Sequence, residues 1–303
     1  MEAVELGNAR VLRPGKLLWL RAMGWMVALF VLIVAFAALF ANGMLRVGTA
    51  ASGATFTRPE LVPEPIKFTV IALTAVLVLL LYRGAVRFAE NRRVPELSLR
   101  EMPAELIGGL LVGALLMAGS IGLLWATGWA VVTPKPIAAI LPAIRSSIQS
   151  GVIEEVVFRL IVFRLCWRAF GPWWALAISA LLFGALHLGN PNATIFAAIC
   201  IALEAGILLA TFYILTGRIW APIGVHAGWN FTQGWVFGAA VSGGSGGFNG
   251  GPLSTQPAAG VPEMLSGGGF GPEASLPGLL VCTAAGLSLL WLSWRKGRMT
   301  AAG

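Results

Sequence analysis

The stretch SGVIEEVVFRLIVF, residues 150–163, sets three charged side chains, Glu154, Glu155 and Arg159, inside an otherwise apolar run. If that run spans a bilayer, each charge at the helix centre costs about 2.5–3.5 kcal/mol on insertion scales, so three facing lipid cost roughly 8–10 kcal/mol. The charges must then face the interior of a helix bundle or a water-filled cavity. Glu155 and Arg159 are spaced i, i+4 with the acid first, the favoured order for an ion pair on a helix. Glu154 is turned about 100° away, which leaves its carboxylate free for other work. The plainer reading is a buried polar cluster that only ties helices together.

Composition says that the surrounding solvent is lipid. Of 303 residues, 57% are apolar and 11% are charged, with a mean hydropathy of +0.83, whereas a soluble domain carries about 25% charged residues. Apolar runs near the length that a hydrocarbon core of about 30 Å requires fall at about 22–41, 66–82, 106–128, 146–166, 173–190, 193–215, 219–240 and 276–294. The fourth is the least regular, because three prolines precede it in 129–150. The expected fold is all-α, a single polytopic membrane domain over 1–303 with about eight transmembrane helices. The first 21 residues are polar and carry four basic side chains. The apolar run after them is too long for a signal-peptide core, so no cleavable signal peptide is expected.

Eight spans put both termini on one side. That side collects Arg10, Arg13, Lys16, Arg21, Arg83, Arg87, Arg92, Arg93, Arg100, Arg164, Arg168, Arg218, Arg295, Lys296 and Arg298. The other side receives only Arg46, Arg58, Lys67, Lys135 and Arg145, and Arg159 lies within a span. Basic residues stay on the cytoplasmic side of a membrane, so both termini are expected in the cytoplasm of a multi-pass cell-membrane protein. The same distribution assigns the net charge of +8 to contact with anionic lipid rather than to nucleic acid.

All 13 acidic residues are glutamate, which removes aspartyl dyads, Ser-His-Asp triads and EF-hand loops. Cys166, Cys200 and Cys282 are far apart in apolar stretches and read as small packing residues. The Gly/Pro/Ser-rich stretch 241–275 has no Lys or Arg and reads as a flexible external loop. The stretch 83–101 is basic and broken by Pro95, an interfacial segment or a solvated loop. Trp19, Trp25, Trp173, Trp174, Trp220, Trp291 and Trp294 lie near span ends and suit an aromatic belt. Glu204, in the sixth span, either lines a cavity or bonds a neighbouring helix.

The chain has two histidines. His187 closes FGALH, with Phe183 one turn before it, and His226 opens HAGWN, with Asn230 one turn after it on the same helical face. A carboxylate, two imidazoles and an amide can activate water and stabilise an oxyanion, because a base in a low-dielectric site gains basicity and His and Asn donate hydrogen bonds to developing charge. Glu154, His187 and His226 could instead hold zinc, which accepts two imidazoles and a carboxylate with one position left for water.

EEVVFR at 154–159, FGALH at 183–187 and HAGWN at 226–230 resemble, in order, the EExxxR, FxxxH and HxxxN motifs of the CPBP family. This is the family of CAAX type II prenyl proteases and bacteriocin-processing or immunity membrane proteins. The motif-bearing core covers about 146–240. The resemblance implies an intramembrane endopeptidase acting on membrane-embedded or lipid-anchored protein substrates. In it Glu154 is the catalytic carboxylate, His187 assists in activating water, and His226 with Asn230 stabilises the oxyanion. Glu155 and Arg159 match the motif as supporting residues. Both a zinc mechanism and a metal-free, glutamate-dependent one are proposed for the family. HExxH is absent, and the only GGSGG string, around Ser245, sits in the 241–275 loop, so zincin and rhomboid chemistry do not fit. The alternatives are a non-catalytic scaffold or bacteriocin-immunity protein of the same fold and, more weakly, a proton-coupled transporter.

Overall fold

The computed structural model describes residues 4–51, 53, 62–244, 248 and 250–300; Arg58 and Ser245 lie outside them. In chain order the chain forms α1 (Leu18–Ala51), α2 (Glu64–Ala89), α3 (Met102–Ala126), β1 (Ala130–Pro134), α4 (141–170), α5 (Pro172–Gly189), α6 (Ile195–Thr216), α7 (220–236), β2 (Leu253–Pro257) and α8 (Leu276–Arg295). The fold is nearly all α, a polytopic membrane protein. Among the described residues six helices are long and apolar enough to cross a membrane: α1, α2, α3, α5, α6 and α8. Their outer faces keep large apolar side chains exposed, such as Leu39, Leu115 and Ile195, as helices bounded by lipid do.

The runs at 146–166 and 219–240 do fold as helices, α4 and α7, but they are of a different kind. α4 carries six charged residues, Arg145, Glu154, Glu155, Arg159, Arg164 and Arg168, and α7 covers only 220–236. Both are enclosed by the other helices: every residue from Val156 to Phe163 is buried, as is nearly all of α7 from Trp220 to Asn230. The two helices that hold EEVVFR and HAGWN are thus the core of the bundle, while FGALH lies at the end of α5. α4 is also wound with i→i+5 hydrogen bonds over Gln149–Glu154 and Val156–Phe163, a winding found mostly in short pieces at functional sites.

α7 is held in place by direct backbone contact with α3. Gly109 and Gly113 on α3 face Gly224 and Gly228 on α7. A Cβ built on Gly109 would stand 2.6 Å from Ala221 O, and one on Gly224 would stand 2.6 Å from Leu106 O. Small residues four apart let two membrane helices touch along their backbones, where dispersion contacts supply the attraction that lipid-facing side chains cannot. No side chain larger than hydrogen fits this seam.

Two distinct ends close the bundle. At one end Arg164 donates to both oxygens of Glu90 at 2.9 and 2.7 Å, Trp167 Nε1 donates to Thr300 O at 3.1 Å, and Arg218 Nε donates to Glu105 at 2.8 Å. Half-buried Trp25 and buried Trp220 donate there to Glu90 and to Ser98 O. At the opposite end β1 pairs antiparallel with β2, from Ala130↔Pro257 to Pro134↔Leu253, and Trp235 Nε1 donates to Ala139 O at 3.1 Å. The Gly/Pro/Ser-rich stretch 241–275 therefore contains a strand and folds back over this end along its described residues.

Candidate active site

The site is built where α4, α5 and α7 meet beneath the folded-back 241–275 segment. α4 begins at 141, five residues before the apolar run suggests, which moves Glu154 and Glu155 to the middle of the helix. α7, being short, presents His226 at the same depth.

Glu155 is fully buried and accepts from His226 Nδ1 at 2.8 Å; its other oxygen lies 3.1 Å from Arg159 Nε. Arg159 donates in turn to Ala205 O of α6 at 2.9 Å. The row Arg159, Glu155, His226 therefore fixes the imidazole, with its Nδ1 proton held by carboxylate and its Nε2 turned towards Glu154, whose Oε2 is 3.9 Å away. Glu154 is 37% exposed where Glu155 is at 0%. The difference separates their roles, since only Glu154 can meet water or a ligand. The i, i+4 pairing read from the sequence is present, and so is the separation of Glu154 from it.

Phe183 explains the first residue of FGALH. Its ring lies tilted at 4.8 Å from His187 and edge-on at 6.2 Å from His226, meets Phe158 edge-on at 4.7 Å, and receives the Arg159 guanidinium 5.0 Å over its face. One aromatic side chain thereby sets the spacing of both imidazoles. His187 lies in a 3₁₀ turn at the end of α5 and its Nδ1 is 2.7 Å from Phe183 O. A carbonyl can only accept, so Nδ1 bears the proton and Nε2 is left as the acceptor of the neutral ring. Asn230 Nδ2 donates to Ser150 Oγ at 2.8 Å, with a second amide hydrogen left over.

Glu154, His187, His226 and Asn230 all line one open cavity of about 260 Å³, together with Ser146, Gln149, Ser150, Asn190, Val241, Ser242 and Phe248. Behind it lies a smaller, largely apolar cavity where His187, His226 and Asn230 meet Trp229 and Glu273. Glu273 has no motif around it and escapes a reading of the sequence. It follows a Gly-rich run and is 2% exposed, accepting from Ser242 N and, at 3.4 Å, from Trp229 Nε1. Burial pushes its carboxyl above the usual carboxylate range, against the lowering by the Ser242 N–H. Trp235 packs against Phe231 and bonds outside the cavity, whereas Trp229 does line the rear one. Glu204 lines neither cavity. It is completely buried, 3.4 Å from where a Cβ on Gly278 would stand, and neither carboxylate oxygen hydrogen-bonds among the described residues.

The zinc arrangement does not fit these residues. Among the described residues no group of three or more His, Cys or Glu side chains is placed to hold a metal ion. His226 Nε2 and Glu154 Oε2 stand 3.9 Å apart, farther than two ligands drawn onto one zinc ion, although the engagement of both Nδ1 atoms by Phe183 O and Glu155 leaves each Nε2 free.

Comparison with known proteins agrees with the motifs. Residues 136–232 match the family model for Rce1-like, type II CAAX prenyl endopeptidases. A curated protein of Bacillus subtilis (strain 168), named "Putative membrane peptidase YdiL", is 33% identical over 86 residues, 28% of this chain and 33% of the relative, so the match spans a third of that protein's length. No solved structure matches the chain significantly. The matched segment, about a third of the chain, contains Glu154, Glu155, Arg159, His187, His226 and Asn230, and over it the chain is similar to the type II CAAX prenyl endopeptidase-like membrane proteins.

Proposed function

We propose that the protein is an intramembrane endopeptidase that hydrolyses a peptide bond of a membrane-embedded or lipid-anchored substrate with a glutamate-activated water. The observation that carries this reading is the meeting of Glu154, His187, His226 and Asn230 around one cavity. In the reaction Glu154 takes a proton from a water that also donates to His187 Nε2, and the hydroxide oxygen adds to the scissile carbonyl. The oxyanion is met by Asn230 Nδ2–H and by Nε2–H of a doubly protonated His226, whose Nδ1–H is held by Glu155. Collapse breaks the C–N bond, and the proton held on Glu154 passes to the leaving amine. Water is thus divided between a new carboxyl and a new amine, with no other reactant needed.

The test is cleavage of fluorogenic transmembrane and lipidated peptides in proteoliposomes. Glu154→Ala removes the base and is expected to lower the rate by about 10²–10⁴-fold, the usual size of a general-base contribution. A zinc chelator is expected to leave the wild-type rate unchanged, in keeping with the poor fit of the side chains to a metal. Equal rates for wild type and Glu154→Ala would reject the protease reading in favour of a non-catalytic scaffold.

A further inference from the structure

The catalytic cavity belongs to one end of the bundle, and the two ends differ in charge. Arg83, Arg87, Arg93, Arg100 and Arg218 line an open groove of about 1060 Å³ at the end where the chain termini lie. The first four are exposed, and they are joined at that end by Lys296 and Arg298, whereas the opposite end offers, among the described residues, Arg46, Lys67, Lys135 and Arg145. Two of these four meet Glu64, which forms ion pairs with Lys67 and, at 3.1 Å, with Arg145. The walls of the catalytic cavity that do not come from helix interiors are Asn190, Val241, Ser242 and Phe248. All four lie in the connections at this less basic end, where Asn192 Nδ2 donates to Gly243 O at 3.2 Å and Ala138 N donates to Gly250 O at 2.7 Å.

We propose that the cavity opens on the extracytoplasmic side of the membrane, and that its substrate is an exported, membrane-anchored polypeptide cut in its outer juxtamembrane segment rather than a lipidated cytoplasmic C-terminus. Short loops rich in Lys and Arg are retained in the cytoplasm during insertion, which assigns the arginine groove to the inside and the Glu154 cavity to the outside. The chemistry of the cavity agrees with an internal peptide segment. Ser146, Gln149, Ser150 and Asn190 offer hydrogen bonds to a peptide backbone, and no Lys or Arg among the described lining residues offers a counter-charge to a free C-terminal carboxylate. The orientation stands on geometry and charge alone; the substrate class rests in addition on the protease reading.

Thiol labelling reads the orientation. Cys166, Cys200 and Cys282 are buried, so a membrane-impermeant maleimide reports on introduced cysteines. Gln149→Cys, at the exposed cavity mouth, and Val241→Cys, on its wall, are expected to label in intact spheroplasts, whereas Arg93→Cys labels only in inverted vesicles. Labelling of both cavity cysteines only in inverted vesicles overturns the proposal. A second arm expresses a single-anchor reporter with the same cleavable segment outside or inside. Loss of the outer reporter alone, abolished by Glu154→Ala, supports the substrate class, and cleavage of the inner reporter overturns it. Outer labelling with cleavage of neither reporter rejects the protease reading and the substrate class with it, while the orientation stands.

Discussion

His226 and Glu155 form a buried pair, Nδ1 to Oε1 at 2.8 Å, and Arg159 stands on the far side of the same carboxylate at 3.1 Å. Glu155 thereby fixes which nitrogen of His226 faces the cavity and stabilises its doubly protonated form. Glu155→Gln keeps the volume but cannot hold an imidazolium. We expect kcat to fall by about 10²–10³-fold, the size seen when an oxyanion donor is lost, with KM nearly unchanged. A rate within a few-fold of wild type in the proteoliposome assay would show that the pair only ties helices together.

The α3–α7 seam makes a prediction about folding rather than chemistry. A Cβ on Gly113 would run into Val225 O and Trp229 N of α7, and backbone cannot move aside as a side chain can. Gly113→Val is expected to destabilise the protein by about 1–3 kcal/mol, the range for overpacking, and to displace His226 from Glu154. Gly108→Val, on the same helix and meeting nothing within 4 Å, is the control. Equal thermal unfolding of the two variants in detergent would refute the seam.

Glu90 lies just beyond α2. Burial alone would raise its carboxyl, but the Arg164 guanidinium, 2.7 Å away, and Arg92 together hold it at about 2. Its folded value is below its ordinary one of 4.5. The stabilisation is therefore present in full above that ordinary value and is lost as pH falls from there towards 2. Glu90→Gln leaves Arg164 buried without its counter-charge and is expected to cost about 3–5 kcal/mol. Chemical denaturation at neutral pH measures the loss, and the difference between variant and wild type should shrink as the pH is lowered through that window.

Glu273 holds Ser242 and Trp229, two walls of the cavities. Glu273→Ala leaves the Ser242 N–H short of an acceptor, a loss of about 1–3 kcal/mol, while Trp229 Nε1 keeps Gln233 Oε1 at 3.0 Å. Because Ser242 faces the open cavity, KM is expected to rise more than kcat falls. Steady-state kinetics on one peptide substrate decides it, and an unchanged KM would detach Glu273 from substrate binding.

How much of this was legible in the residues follows from the range of the forces involved. The apolar composition, the cost of charge in lipid and the i, i+4 spacing of Glu155 and Arg159 are properties of segments, so they pointed to membrane helices, to an inward-facing Glu154 and to a supporting ion pair. The bias of basic residues likewise needs only the order of the spans. Two signals were present but went unused: the small-residue pairs Gly109/Gly113 and Gly224/Gly228, whose spacing marks close helix contact.

What tertiary structure alone decided involves residues far apart in the chain. That α4 and α7 form the enclosed core rather than ordinary lipid-facing spans depends on which helices surround them. The meeting of Glu155 with His226, 71 positions later, depends on the α3–α7 seam and on the earlier start of α4. The placing of Ser242 and Glu273 at the site depends on β2 pairing with β1, which folds a Gly-rich stretch back onto the bundle. Composition describes such a stretch only as lacking apolar side chains; its backbone hydrogen bonds, which any sequence can make, found their partners in a strand more than a hundred residues away.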